Sequence, residues 1–130
     1  MYGRNAYQQS AAQTASPAQL VMMLYDGALL RIEQAIEALA EPRDLMAAHS
    51  CIMKSQRIIE ELELSLDHDR GGEIAANLAA IYVFVGELLL EGNLKKDPSM
   101  LREAIEVLTP LRETWDRACV NAPIGAAVAG

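Results

Sequence analysis

Apolar residues return at helical spacing through four stretches of the chain. In the first, Leu20, Leu24, Ala28, Ile32, Ala35 and Leu39 form one stripe, and steps of three and four keep side chains on one helix face. Met23, Gly27, Leu30 and Ile36 widen that stripe, so the helix can touch two neighbours. Ser16-Pro17-Ala18-Gln19 starts it. Ser16 caps, Pro17 sits in the first turn where its missing N–H costs nothing, and Gln19 completes a capping box. The end falls near Ala40, because Pro42 biases Glu41 away from helical dihedrals.

A second helix opens around Pro42 to Asp44 and carries Leu45, Ala48, Ile52, Ser55, Ile59, Leu62 and Leu66 as a heptad seam, with Ile58 beside it. Asp67-His68-Asp69-Arg70-Gly71-Gly72 then reads as a turn, with Asp69 as a cap and the glycines free to take positive φ. The third helix is expected from about Gly72 to Glu91, stopping at Gly92-Asn93. From Ile74 through Gly86 it carries no charge on any face. A helix that is apolar all round needs cover all round, so it either fills the centre of a bundle or keeps one side for a partner. Asp97-Pro98 restarts a fourth helix, lined by Leu101, Ile105, Leu108, Leu111, Trp115 and Cys119, with a bend expected at Pro110.

Helices of this length joined by short connections pack as antiparallel neighbours. The fold class is therefore all-α, an antiparallel up-down four-helix bundle with a short additional N-terminal helix or arm. Residues 1–15 form the arm, in which Tyr2, Ala6 and Tyr7 share an apolar face; residues 16–120 form the bundle, and 121–130 a disordered tail. At 130 residues the chain fits one domain and one core. Apolar residues make up 52% and aromatics 5%, a balance that favours helix over strand. Eleven basic and eighteen acidic side chains leave a formal charge of −7, which repels phosphate backbones and argues against nucleic acid. Cys51 and Cys119 lie in helical pattern without a Cys-x-x-Cys pair, and read as reduced core thiols. The N-terminal stretch lacks the apolar core of a signal peptide, so a cytoplasmic protein is expected. Ile74 to Leu90 is shorter than the ~20 residues of a membrane crossing and is interrupted by Asn77 and Glu87, so membrane insertion is not expected.

Chemistry is sparse. A di-metal bundle needs Glu-x-x-His pairs, and His49 and His68 follow Met46 and Ser65 instead. Glu60-Glu61 and Asp67/Asp69 sit in polar stretches that solvation or capping explains, and Gly71-Gly72 lacks the Gly-Lys-Ser/Thr ending of a phosphate loop. No catalytic residue, metal or cofactor is expected. Met22, Met23, Met46, Met53 and Met100 read as core filling or as an adaptable binding surface.

Several motifs stand in order along nearly the whole chain: Ala6-Tyr7-Gln8-Gln9, Thr14-Ala15-Ser16-Pro17, Leu24-Tyr25-Asp26-Gly27-Ala28, Lys54 to Leu62, Gly71 to Leu78, Asn93-Leu94 with Asp97, and Leu111 to Trp115. In these the chain resembles the flagellin-specific export chaperones, the FliS family. It departs from the family pattern at Tyr82-Val83-Phe84-Val85, where an Asp usually follows the Tyr, at Ser55 for the usual Ala, and at Gly92, where Ala is common. The resemblance implies a cytosolic type III export chaperone that binds the disordered C-terminal segment of flagellin, prevents premature polymerisation, and delivers it to the flagellar export gate. The client is expected along surfaces flanking the first and third helices, on Met23, Tyr25, Ile58, Leu62, Tyr82 and Leu89, with Tyr7 anchoring an arm that covers part of the groove until the client displaces it. The rival is a non-enzymatic bundle that forms a homodimer or serves as a signalling adaptor through the same surface.

Overall fold

The computed structural model describes residues 16–120, with side chains through residue 117. The expected arm with Tyr7, the tail, and the Cys119 side chain lie outside the described residues. Four helices follow one another: α1 Pro17–Leu39, α2 Leu45–Leu64, α3 His68–Lys95 and α4 Pro98–Val120. Each packs on the next and α4 returns to α1, so the ring closes with α3 diagonal to α1. This is the expected all-α up-down bundle.

Cross-links between helices show the antiparallel register. Ser55 Oγ on α2 donates to the Ala28 carbonyl on α1 at 3.3 Å, and further back along α2 Cys51 Sγ lies 4.0 Å from Gln34 Oε1 further along α1. Arg112 on α4 pairs with Asp26 on α1 at 2.8 Å. Ser55 thus fills a buried position and satisfies its hydroxyl on the neighbouring backbone, leaving no orphan donor. The core is a stack of small and large residues: Ala28, Ala35 and Ala48 let α1 and α2 close up, while Ile32, Ile52, Leu62, Leu89, Leu101 and Leu108 fill the centre.

The α1 capping box forms as expected, with Gln19 N donating to Ser16 Oγ at 3.2 Å and Ser16 N to Gln19 Oε1 at 2.9 Å. Asp44 caps α2. Its buried seam runs from Ala48 to Leu62; Leu45 is exposed and Leu66 lies beyond the helix end, half-buried.

Both ends of α3 differ from expectation. Asp67, not Asp69, is the cap, accepting from Arg70 N at 3.0 Å. One helical turn then precedes Gly72, whose φ of 51° and ψ of −124° break the axis inside the helix. The turn predicted over 67–72 is therefore a capped helical turn followed by a glycine kink. At the far end α3 runs past Gly92-Asn93 to Lys95, and Lys96 takes the left-handed cap position with φ 50°. Gly92 serves packing instead: a Cβ there would stand 2.9 Å from Leu101 Cδ2 on α4. Asn93 is buried, and its Nδ2 donates to His49 Nδ1 on α2 at 3.0 Å. Lys96 Nζ donates to the Asn93 carbonyl at 2.8 Å, and Arg43 Nη2 to the Lys96 carbonyl at 3.1 Å, holding the strained cap in place. α4 continues through Pro110 without interruption, with Thr114 Oγ1 donating to the Pro110 carbonyl at 2.9 Å.

With 28 residues, α3 extends beyond the Ile74 to Leu90 stretch at both ends, and as a whole helix it is long and apolar enough by length and composition to cross a bilayer. Its place here is lateral contact with α2 and α4, with Leu78, Tyr82, Val85 and Leu89 turned into the core.

Candidate functional site

The ridge of α3 opposite the core meets no other described helix. Val83, Phe84, Leu90 and Leu94 on it keep 48%, 43%, 50% and 76% of their surface exposed. Isolated exposed leucines are ordinary, whereas large apolar residues gathered along one helix are not. By helical geometry they fall into two strips. Val83, Leu90 and Leu94 lie toward α2; Phe84, with half-buried Ile81 and Leu88, lies on the other flank, and Glu87 and Glu91 stand between.

On the α2 side the strip sinks into a groove of about 240 Å³. Ile59, Tyr82, Val83, Gly86 and Leu90 line its apolar part, and Gln56, Glu60, Glu63 and Glu87 its polar part. Gly86 sets the depth, since a Cβ built there would touch nothing within 4 Å. A second hollow of about 320 Å³, on α3 itself, is lined by Phe84, Glu87, Leu88, Leu90 and Glu91. Both hollows lie at or below the lower end of the ~300–1,000 Å³ of small-molecule sites. They suit side chains presented by a partner.

Beneath the groove, Tyr82 reaches through the core to Tyr25. Their hydroxyl oxygens are 2.7 Å apart and the rings tilt by 58° at a centroid distance of 6.2 Å. Burial pushes both phenols above the ordinary tyrosine range, with the Trp115 indole working the other way. Both therefore stay neutral at physiological pH. Their bond ties α1 to α3 across the bundle. Among the described residues, no three His, Cys, Asp or Glu side chains gather as a metal site.

The structure separates the residues expected to contact a partner. Tyr25, Leu62 and Leu89 are wholly buried in the core of the free chain; Tyr82 is buried too, although its ring backs the groove. Leu62 belongs to the α2 seam, where burial is what spacing predicts; for Tyr82 and Leu89, on a helix that is apolar all round, spacing does not say which ridge faces inward, and contacts with α2 and α4 choose it. Ile58 is half-buried between α1 and α2, 3.4 Å from where a Gly27 Cβ would stand. Met23 is exposed on α1, diagonally across the bundle from α3. Val83, Phe84, Gly86, Leu90 and Leu94 are not among the residues expected from the sequence. For two of them a signal is present there, since Val83-Phe84 lies in the uncharged run from Ile74 to Gly86.

A family model described as flagellar protein FliS matches residues 1–122. The chain is 36% identical over 113 residues to the flagellar secretion chaperone FliS of Bacillus subtilis (strain 168), covering 87% of this chain and 83% of that protein. It is 36% identical over 118 residues to the flagellar secretion chaperone FliS of Salmonella typhimurium (strain LT2), covering 87% of each. A crystal structure of a flagellar chaperone from bacteria superposes with a TM-score of 0.75 at 20% identity, over 92% of this chain and 98% of that one. At that identity the likeness speaks for the fold.

Proposed function

Because the chain belongs to the FliS family of flagellar secretion chaperones, we propose that it binds the C-terminal segment of flagellin in the cytosol without catalysis, prevents premature polymerisation, and hands the subunit to the export gate. The observation that carries this reading is the uncovered apolar face of α3 with the groove beside it. A flagellin terminus is built to pack helix on helix with its copies in the filament. Before assembly it needs a substitute surface of the same kind, and helix-in-groove docking supplies one. Ordering such a segment is costly and is offset by burying ~1,000–3,000 Å². Two apolar strips along α3 suit an extended contact of that size better than a single pocket would.

A titration tests this directly. Adding a flagellin C-terminal peptide is expected to give saturable one-to-one binding with a gain of helicity by circular dichroism, whereas flagellin lacking that segment does not bind. Equal binding of intact and truncated flagellin would place the contact elsewhere. Self-association through the same face is the competing use, and would appear as a concentration-dependent dimer that flagellin does not dissociate.

A further inference from the structure

Glu60 and Glu63 on α2 and Glu87 on α3 line the α2/α3 groove beside its apolar surface. Among the described residues the ion pairs are Lys95 with Glu91 and Arg112 with Asp26, so none of these three carboxylates is paired with a described cation. Arg57, the nearest base along α2, makes no salt bridge to them. Like charges around an oily slot repel one another and are relieved when an opposite charge arrives. The chain is acidic as a whole, at −7, and here three of its carboxylates stand around one apolar slot.

We propose that Glu60, Glu63 and Glu87 make this groove selective for an amphipathic helix whose apolar ridge is flanked by Lys or Arg. The ridge side chains enter over Val83, Gly86 and Leu90, and the flanking cations reach the carboxylates on either side. An acidic flank would meet repulsion at the same positions, so the rim selects among helices that the apolar surface alone would accept equally. This rests on the client-binding reading above and adds to it a statement about the client: the stretch that docks here carries basic residues beside its apolar positions.

The test uses the full chain, the flagellin C-terminal peptide, and two designed helical peptides that share one Leu/Ile ridge but carry either Lys or Glu at the flanks. The wild type is expected to bind the Lys-flanked peptide about tenfold or more tighter than the Glu-flanked one, and to lose that preference as salt rises to roughly 0.5 M. Glu60→Gln/Glu63→Gln/Glu87→Gln is expected to erase the preference at low salt and to weaken flagellin-peptide binding by about tenfold, three exposed pairs each contributing modestly. Equal affinity of the wild type for both designed peptides, or unchanged flagellin-peptide affinity in the triple variant, overturns the proposal. The salt series on the wild type reads the same selectivity without relying on any variant. If the flagellin peptide does not bind the wild type at all, the client reading fails, while selectivity between the designed peptides still decides the role of the rim.

Discussion

Replacing Gly86 with leucine is expected to weaken flagellin-peptide binding by about ten- to a hundredfold while leaving the melting temperature unchanged or higher. Gly86 lies in the interior of α3, and its added Cβ would enter open space. Within the fold the exchange removes a helix-interior glycine, worth roughly 0.5–1 kcal/mol relative to alanine. Outside it, the new side chain occupies the groove between Ile59, Val83 and Leu90 that a client anchor would fill. Losing the seat of one buried aliphatic side chain forfeits about 1.5–3 kcal/mol, which sets the expected range. Calorimetric titration beside a thermal melt checks both halves. Gly86→Leu with full affinity would mean that the client does not use the groove.

The second large effect belongs to the tyrosine pair. Tyr25→Phe leaves the Tyr82 hydroxyl without its partner inside the core, and Tyr82→Phe does the converse. Each single variant is expected to lose about 1–3 kcal/mol, the cost of a buried polar group left unmatched. The double variant removes both hydroxyls together and is expected to lose less than the sum of the two, the mark of a coupled pair. Urea denaturation of the four proteins gives the cycle. pH adds an independent reading. The phenols are raised in the folded state, so their contribution is complete below the ordinary tyrosine pKa of about 10 and is lost as pH climbs above it. The wild type is expected to lose stability there more steeply than Tyr25→Phe/Tyr82→Phe.

Fold and site are legible in the sequence to different degrees, and one feature of α3 accounts for much of the difference. Where a helix is polar on one side, as α2 is at Lys54, Arg57 and Glu61, spacing alone marks the buried seam from Ala48 to Leu62. The cap at Ser16 follows equally from local chemistry, because a side-chain oxygen next to free backbone N–H groups has few better uses. On α3 the uncharged run offers no such contrast. Tyr82 and Leu89 turn inward and Phe84 and Leu90 outward, although all four are large and apolar, and only the positions of α2 and α4 decide between them. Gly92 escapes local reasoning for a related cause. In sequence it has the form of a helix stop, yet it is a contact point for Leu101, and its role depends on a residue in the next helix. Glu60, Glu63 and Glu87 gain meaning only when α2 and α3 stand side by side, since neither helix alone shows an acidic border around an apolar slot. What the sequence does display is surplus apolar surface, with Val83-Phe84 falling on the exposed ridge.

Whether the α3 ridge is the client's seat can be read by hydroxyl-radical footprinting of the chain, free and saturated with the flagellin C-terminal peptide. Val83, Phe84, Leu90 and Leu94 are expected to be labelled in the free protein at all concentrations and protected in the complex, while Ile52 and Leu108 stay unlabelled in both. Full labelling of the α3 residues in a saturated complex would mean that the client binds elsewhere and that this ridge is not its seat.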